Sequence, residues 1–132
     1  MKNYNIQDSL YYTKEHEWVK VEGSQATVGV SDYAQDLLTD VVFVELPAVG
    51  KEVKQFGAAC VVESVKSVSD VYSPLSGKIT EANKNLEASP ELINNDPYLG
   101  GWIYKMENIN AAETANLMDS AKYKEYIAGL DH

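Results

Sequence analysis

The stretch that decides the fold is Cys60-Val-Val-Glu-Ser-Val-Lys-Ser-Val-Ser-Asp-Val-Tyr-Ser-Pro74. Branched and flat side chains on both sides of Lys66 favour the pleated strand. Two such runs so close together, ended by Ser73-Pro74, predict a β-hairpin. The turn, Ser64-Val-Lys-Ser67, lacks the Asn-Gly or Asp-Gly pair of many two-residue turns, but a type I turn tolerates these residues. The pattern therefore places Lys66 at the hairpin tip, away from the packed body.

The composition is that of an ordinary globular chain with an acidic surface. The 132 residues are 45% hydrophobic and 23% charged, which suits one domain with a modest core. No apolar run approaches the roughly 20 residues that span a bilayer, so we expect no membrane association. The net charge of −9 argues against nucleic acid and anionic membranes as partners and is compatible with basic protein partners.

Cysteine and histidine usage excludes several kinds of site. Cys60 is the only cysteine, so neither an internal disulfide nor a cysteine metal cluster can form, and its apolar surroundings predict an inert core position. The two histidines, His16 and His132, lie far apart in sequence, and we expect no metal site. The N-terminus has neither a signal core nor transit character. We expect a cytoplasmic, bacterial-like protein, or a mitochondrial matrix protein if a transit peptide has been removed.

The remaining pattern consists of short strands with small helical insertions. Residues 1–10 are expected to be an irregular lead-in. β-favouring runs predict strands around Trp18–Val21 and over residues 26–30, 41–46, 51–54, 78–82 and 102–106. The run 41–46 is apolar almost throughout, so we expect both of its faces to be covered.

Capping signals mark the helices. Asp32 with Gln35 forms a candidate capping box for a helix over 32–39, with Ala34, Leu37 and Leu38 on its apolar face. Ser89-Pro90 predicts the start of a short helix. Asn110 with Glu113 predicts a helix that runs to Met118, and a final helix over 121–128 is expected to end at Gly129. Together these elements predict a compact β-sandwich or barrel, a single domain over residues 11–132 whose C-terminal helices begin at about residue 110.

No enzyme constellation stands out in the sequence. There is no phosphate-binding Gly-x-x-x-x-Gly-Lys loop, no Gly-x-Ser-x-Gly elbow and no His-Glu-x-x-His. Lys66 remains as a possible chemical handle, because an acylated lysine at a hairpin tip is a long arm held away from the body. Lipoamide and biotin are group carriers of this kind. A solvated charge is the other interpretation, and this stretch alone leaves both open.

Several segments resemble one family. Glu63-Ser-Val-Lys-Ser-Val-Ser-Asp70 and Tyr72-Ser-Pro-Leu-Ser-Gly77 resemble the lipoyl-attachment hairpin of glycine cleavage system H proteins. The resemblance extends over roughly residues 10 to 130. It includes Tyr12 with His16-Glu-Trp18, Ala26-Thr-Val-Gly-Val-Ser-Asp-Tyr-Ala-Gln-Asp36, Val42-Phe-Val-Glu-Leu-Pro47, Leu92-Ile-Asn94, Asp96-Pro-Tyr98 and Gly101-Trp-Ile103.

The resemblance implies a fold and a carrier function. The fold would be mostly β, a lipoyl-type barrel-sandwich hybrid of two small sheets with short helical insertions and a C-terminal helical segment. The protein would be a carrier and not an enzyme, with lipoate joined to Lys66 by an amide. Its partners would be a lipoylating enzyme, the pyridoxal-phosphate glycine decarboxylase that supplies an aminomethyl group, the tetrahydrofolate-dependent aminomethyltransferase that removes it, and the FAD-containing dihydrolipoyl dehydrogenase that reoxidises the dithiol. We expect the carrier to be a monomer.

The resemblance also implies a cleft that shelters the loaded arm. Its terminal amine would be cationic, and Glu17 and Asp70 are the candidate carboxylates by their positions in the matched motifs. Glu63 is the candidate for recognition by the lipoylating enzyme. Both cleft acids could instead be ordinary solvated charges. Ser67, Tyr33 and Lys14-Glu15 depart from the common family pattern, and the last two were expected near the cleft.

An H-like lipoyl carrier that serves lipoate transfer or another pathway would share the fold and the lysine, and the sequence separates it poorly from a glycine carrier. Other carriers fit the sequence less well. Biotin carriers flank their lysine with methionine, whereas Val65 and Ser67 stand here. Lipoyl domains of 2-oxoacid dehydrogenases usually have aspartate before the lysine and a long linker after the domain. An unmodified adaptor recognised through its acidic surface is the alternative from a different class.

Overall fold

The computed structural model describes residues 3–130, which form nine strands, four α-helices and one 3₁₀ helix. His132, considered above as a metal ligand, lies outside them. The strands are β1 (Tyr11–Tyr12), β2 (Glu17–Glu22), β3 (Gln25–Val30), β4 (Val41–Glu45), β5 (Glu52–Val53), β6 (Ala58–Ser64), β7 (Val68–Tyr72), β8 (Gly77–Ala82) and β9 (Tyr104–Glu107). The helices are α1 (Asp32–Leu38), α2 (Asn85–Ala88), α3 (Leu92–Asn95), the 3₁₀ helix (Ala111–Asn116) and α4 (Ser120–Leu130).

Two antiparallel sheets make up the body. One has six strands in the order β1-β2-β3-β9-β8-β5, and the other has three in the order β4-β6-β7. Apolar side chains alternate along the strands, so each sheet turns one face inward. Val19, Val28 and Ile79 of the larger sheet and Val44 and Val62 of the smaller one are buried in the same core. This pairing of faces positions the β6–β7 hairpin at one side of the molecule.

The predicted hairpin is present, with its tip at Val65–Ser67. In its ladder Glu63 lies opposite Val68 and Val62 opposite Ser69. The Ser64 N–H donates to the carbonyl of Ser67 at 2.8 Å, and the Ser64 hydroxyl oxygen accepts from the N–H groups of Lys66 and Ser67 at 3.2 and 3.0 Å. No residue of the turn has a positive φ, which excludes the type I′ geometry that would have required Asn-Gly.

A second cluster packs aromatic side chains under the C-terminal helix. It contains Leu10, Tyr12, Trp18, Tyr33, Tyr123 and Ile127. The rings of Tyr12 and Tyr123 stack with centroids 4.3 Å apart and an interplanar angle of 3°. Helix α4 is therefore fixed to β1 and is part of the packed body.

Cys60 is buried, as its apolar surroundings predicted, and burial raises the pKa of its thiol to about 12, so the thiolate that would react is disfavoured. Within residues 3–130 no group of three or more His, Cys, Asp or Glu side chains could hold a metal ion. None of the helices in the same range is long and apolar enough to cross a bilayer.

Helix α1 is present, but its predicted cap was wrong. Ser31 is the N-cap, and its hydroxyl oxygen accepts from the Ala34 N–H at 3.1 Å. Gln35 donates through its side chain to the Asp32 carboxylate at 2.9 Å. Ser and Asp are both good caps, so the sequence Ser31-Asp32 allowed either. On the predicted apolar face Leu37 is about half exposed.

The prediction that β4 is covered on both faces was wrong. Val44 is buried, whereas Val42 and Phe43 are 52% and 51% exposed. A register irregularity between Val41 and Phe43, where β4 pairs with β6, turns two consecutive side chains outward.

The C-terminal region differs from the prediction in two ways. Residues 111–116 form a 3₁₀ helix whose N-cap is Asn110, as predicted. The Glu113 carboxylate does not complete the predicted capping box, because it accepts a hydrogen bond from the Ser76 N–H at 2.7 Å. Gly129 lies inside α4 and does not end it. The helix continues because a glycine weakens a helix without forbidding it.

The region between β8 and β9 was also only partly predicted. Helix α2 has no counterpart among the predicted helices, and α3 begins at Leu92 with Glu91 as N-cap, so Ser89 is not the cap. Both are single turns, for which sequence signals are weakest.

Candidate functional site

Lys66 lies at an exposed tip with a fixed base. The N–H of Val65 donates to the carbonyl of Asp40 at 3.0 Å, which ties the tip to the segment after α1. With the Ser64 contacts, these bonds hold the backbone on both sides of Lys66. Among the described residues, none makes a hydrogen bond or ion pair with the Lys66 amine. The lysine is therefore an accessible amine on a rigid support.

A cleft of about 270 Å³ lies beside this tip, between the edge of β7, the start of β2 and helix α1. Its walls are largely apolar, and its rim carries acids and hydroxyls. The lining residues are Glu15, His16, Glu17, Val30, Ala34, Leu37, Leu38, Val62, Lys66, Ser67, Ser69, Asp70 and Val71. The structure thus brings both predicted cleft acids, Glu17 and Asp70, into one cavity with Lys66.

Glu17 is the buried acid of this cleft, with 2% of its surface exposed. The Thr13 hydroxyl donates to one carboxylate oxygen, and the Tyr72 N–H donates to the other at 3.1 Å. Burial raises the pKa of Glu17 to about 7, although both hydrogen bonds favour the ionised form and oppose that rise. The carboxyl group is therefore poised between its two charge states near neutral pH.

Asp70 is the exposed acid of the cleft. It lies on β7, the edge strand of its sheet, and no hydrogen bond to another described side chain holds its carboxylate. An exposed carboxylate on a strand edge is free to turn toward a cation in the cavity. The two acids thus differ: Glu17 is buried and held by two hydrogen bonds, whereas Asp70 is exposed.

Glu63 lies outside this cleft. In the three-stranded sheet it is opposite both Phe43 of β4 and Val68 of β7, so the three side chains share the outer face. Val62, its neighbour in β6, points into the core. The structure therefore separates Glu63 from Glu17, whereas Asp70, opposite Val61, lies on the same face as Val68 at the place where β7 borders the cleft.

His16 is a cleft residue that the sequence analysis considered only as a metal ligand. Its backbone has φ of 75°, uncommon for a residue with a side chain. Its Nδ1 lies 3.0 Å from the Tyr123 hydroxyl, which is 2.6 Å from the Ser31 hydroxyl. Burial lowers the pKa of His16 to about 4, so the ring is neutral at pH 7. No local pattern joins residues 107 positions apart, so this link was invisible in the sequence.

The positions that depart from the family pattern have different surroundings. Ser67 and Glu15 line the cleft, whereas Lys14 lines a neighbouring cavity of about 420 Å³ that Tyr12, Phe56, Tyr72 and Met118 also border. Tyr33 lines neither cavity. It is buried against Tyr4 and His16, with ring centroids 5.0 and 4.7 Å away.

Comparisons with known proteins agree on one family. The family described as "Glycine cleavage H-protein" matches residues 10–129. A glycine cleavage system H protein of Symbiobacterium thermophilum is 57% identical over 122 residues, which cover 92% of this chain and 95% of the relative. A probable glycine cleavage system H protein of Pyrococcus abyssi is 52% identical over 129 residues, 96% of each chain.

The fold comparison gives the same result. A crystal structure of a glycine cleavage system H protein from Mycobacterium marinum matches with a TM-score of 0.83 and 33% identity, covering 93% of this chain and 99% of the other. The predicted two-sheet, lipoyl-type fold is thereby confirmed. With its hairpin lysine and a similarity that spans almost the whole sequence, the chain belongs to the glycine cleavage H-protein family, whose members carry lipoate covalently on a lysine and are not themselves enzymes.

Proposed function

We propose that Lys66 is the residue through which this chain, a lipoyl carrier of the glycine cleavage system, holds its lipoate. The observation that carries the proposal is an unpaired lysine at the tip of a fixed hairpin, beside a cleft with two carboxyl groups. The exposed amine suits amide formation, and the Ser64 and Val65 backbone contacts fix the point from which an arm would extend. Residues 11–132 would act together as one carrier domain.

The cleft residues suit a loaded arm. When bound, lipoate supplies the sulfur that carries an aminomethyl group, which ends in an ammonium at neutral pH. The apolar walls at Val30, Ala34 and Val71 accept a hydrocarbon chain and exclude water from its end. Glu17 and Asp70 offer carboxylates to the ammonium, and a charge-assisted hydrogen bond in a partly dry site is stronger than in water.

The partners proposed for this carrier are the other components of the system. They are the pyridoxal-phosphate glycine decarboxylase, the tetrahydrofolate-dependent aminomethyltransferase, the FAD-containing dihydrolipoyl dehydrogenase and a lipoylating enzyme. Each must reach the same hairpin tip, which suits a monomeric carrier that meets them in turn. The net charge of −9 supports docking on basic surfaces.

The attachment site is tested by intact mass. The chain expressed with lipoate and a lipoylating enzyme should gain the mass of one lipoyl group, and Lys66→Arg should gain none because guanidinium is not acylated. Lys78→Arg, which changes a lysine of β8, is the matched control and should be modified like the wild type. A Lys66→Arg chain that still gained the lipoyl mass would overturn the assignment. Loading of the lipoylated wild type by the decarboxylase and glycine would distinguish this role from lipoate transfer.

The cleft assignment is tested by the lifetime of the loaded carrier. Glu17→Gln keeps the shape of the side chain and an oxygen for the Tyr72 N–H, but removes the charge that would hold an ammonium. We expect Glu17→Gln to shorten the lifetime of the aminomethyl-loaded form several-fold, with lipoylation unchanged, because the charge-assisted bond is lost.

Two further variants make the lifetime measurement specific. Asp70→Asn should shorten the lifetime less, because its carboxylate is hydrated. Glu15→Gln removes an exposed charge from the same cleft and is the control. Equal decay of the wild type and Glu17→Gln would contradict the role of Glu17.

A further inference from the structure

Thr13 lies directly behind Glu17, at the boundary between the cleft and a second cavity. Glu17 lines the cleft, whereas Thr13 lines the neighbouring cavity of about 420 Å³. Lys14 and Glu15, which carry opposite charges, line that second cavity too. Thr13 is 3% exposed, and its hydroxyl donates to the Glu17 carboxylate, so this one group connects the two cavities.

Backbone hydrogen bonds fix the Thr13 hydroxyl beside the carboxyl group. The Thr13 N–H donates to the Glu17 carbonyl at 3.0 Å, and the Glu17 N–H donates to the Thr13 hydroxyl oxygen at 3.1 Å. A backbone donor therefore always occupies one lone pair of this oxygen. One lone pair and one hydrogen remain, for Glu17 or for a molecule in the second cavity.

The hydrogen bond from Tyr72 decides which oxygen of Glu17 carries a proton. The Tyr72 N–H can only donate, so the oxygen that accepts from it, Oε2, is the carbonyl oxygen of a neutral Glu17. The proton then lies on Oε1, the oxygen next to the Thr13 hydroxyl. A neutral Glu17 donates to the free lone pair of Thr13, and the Thr13 hydrogen turns into the second cavity. An ionised Glu17 accepts from Thr13 instead.

We infer that Thr13 is a positioning residue for the cargo, because its hydroxyl can point either way and so passes the Glu17 proton to the second cavity. The inference rests on the proposed role of Glu17 in holding the ammonium. An arm that fills the cleft excludes water on that side of Glu17. The second cavity lies on the other side and stays free to exchange protons.

The proton transfer is balanced. The O–H bond of Glu17 breaks as the Thr13 oxygen takes the proton, and the original Thr13 hydrogen passes to solvent water in the second cavity. No oxidation or reduction occurs. The Thr13 hydroxyl then donates to the new carboxylate, which is ready for the cation.

On the core side, the titratable groups near Glu17 are uncharged at neutral pH. Burial raises the pKa of the Cys60 thiol to about 12, and it also raises the pKa of the Tyr104 and Tyr123 hydroxyls. None of the three supplies a charge that could fix the charge state of Glu17.

On the cleft side, the nearby charges are mostly acidic. Burial is the main cause of the raised pKa of Glu17, and the negative charge of Glu15 adds to it. Asp70 is a further exposed acid, and burial keeps His16 neutral by lowering its pKa to about 4. Among the described residues Lys66 is the only cation that lines the cleft, and amide formation would remove its charge. The cation that holds Glu17 ionised must then come from the cargo.

Carbon-13 NMR of the Glu17 carboxyl group in the unmodified chain tests the inference. Thr13→Val keeps the side-chain shape without the hydroxyl, and it should raise the titration midpoint by about one pH unit, because a hydrogen bond to a charged group is lost. Relaxation dispersion at each variant's own midpoint measures the exchange between the protonated and ionised forms. This exchange should be several-fold slower in Thr13→Val, because Glu17 itself is only 2% exposed. Thr13→Ser keeps a hydroxyl and should restore both values.

Two further variants complete the experiment. Thr80→Val changes an exposed threonine of β8 and is the matched control, which should titrate and exchange like the wild type. Thr13→Ala removes the same hydroxyl and takes the place of Thr13→Val if circular dichroism shows that the latter does not fold.

The outcomes separate this inference from the proposed function. An unchanged midpoint without the Thr13 hydroxyl would overturn the inference. A raised midpoint with unchanged exchange would also overturn it, because the hydroxyl would then only stabilise the carboxylate. No measurement in this set needs lipoate, so the result for Thr13 is independent of whether Lys66→Arg gains the lipoyl mass.

Discussion

Glu17 combines burial with two hydrogen bonds, one from the Thr13 hydroxyl and one from the Tyr72 N–H, and its charge state decides what the cleft can bind. Thr13 and the Tyr72 N–H favour the carboxylate, and the surrounding apolar side chains favour the acid. A cation in the cleft would tip this balance toward the carboxylate.

The pKa of Glu17 predicts a pH dependence of stability. It is raised from about 4.5 to about 7 on folding, so between these values the native chain binds the proton more tightly than the unfolded chain does. The contribution of Glu17 to the free energy of unfolding therefore falls as pH rises from 4.5 to 7, by on the order of 3 kcal/mol. Urea denaturation across this range should show a smaller fall for Glu17→Gln than for the wild type.

A matched comparison isolates that contribution. Glu22→Gln removes an exposed carboxyl group at the other end of β2 and should leave the pH profile parallel to that of the wild type. If the profile of Glu17→Gln were also parallel to the wild type, the carboxyl group would ionise alike in the folded and unfolded chains.

At the residue scale, the resemblance to a family proposed Glu17 and Asp70 for the cleft, but it did not indicate how different their surroundings are. Both acids were proposed from the same kind of argument, namely their positions in the matched motifs. The burial of Glu17 depends on Tyr72, 55 positions away, and on the packing of two sheets. A local pattern carries no information on such a contact, and hence none on the pKa that follows from it.

Among the elements, α4 reaches the cleft through a single hydroxyl group. Tyr123 stacks on Tyr12 of β1 and places its hydroxyl between His16 and Ser31. His16 lines the cleft, and Ser31 caps α1, which forms another wall. The C-terminal helix thus supports two sides of the cleft from beneath.

Removing that hydroxyl should destabilise the protein. Tyr123→Phe keeps the ring stacking but leaves the buried polar atoms of His16 and Ser31 with fewer partners, at a cost of about 1–3 kcal/mol. Tyr126→Phe is the matched control, because the Tyr126 hydroxyl donates to the Lys14 carbonyl at an exposed position and its loss should cost less. Chemical denaturation of the two variants gives the comparison, and equal losses would show that the buried network contributes nothing extra.

Strand elements were predicted better than helix ends. Apolar residues recur at every second position around Trp18–Val21 and in the two valine runs that flank Lys66, because packing against the core requires it. The strands predicted from these patterns are present. Helix ends depend on competition between partners of similar strength. This holds for the N-cap at Ser31, for the continuation of α4 through Gly129, and for Glu113, which accepts from the Ser76 N–H and not at its own helix cap. Such competition is decided by tertiary contacts.

On the scale of the whole molecule, the three-stranded sheet presents three surfaces. Its inner face closes the core with Val44 and Val62, its outer face leaves Phe43 and Val68 exposed, and its β7 edge borders the cleft. Asp70 lies on the same face as Val68, so the outer face and the cleft meet along β7. The resemblance to a family predicted the two-sheet architecture. The exposed outer face of β4 could not be predicted, because an apolar run of sequence does not show whether its side chains are covered within the chain.

The hydrogen bond between Glu17 and Tyr72 has a consequence for how this chain behaves in a crowded solution. Strand β7 ends its sheet, and an open edge of this kind can recruit a strand from another molecule and begin aggregation. Glu17 occupies the Tyr72 N–H with a carboxylate, which accepts a hydrogen bond but cannot continue a ladder to a further chain. The acid that is proposed to hold the cargo thus also removes one free donor from the open edge, which makes strand addition there less favourable.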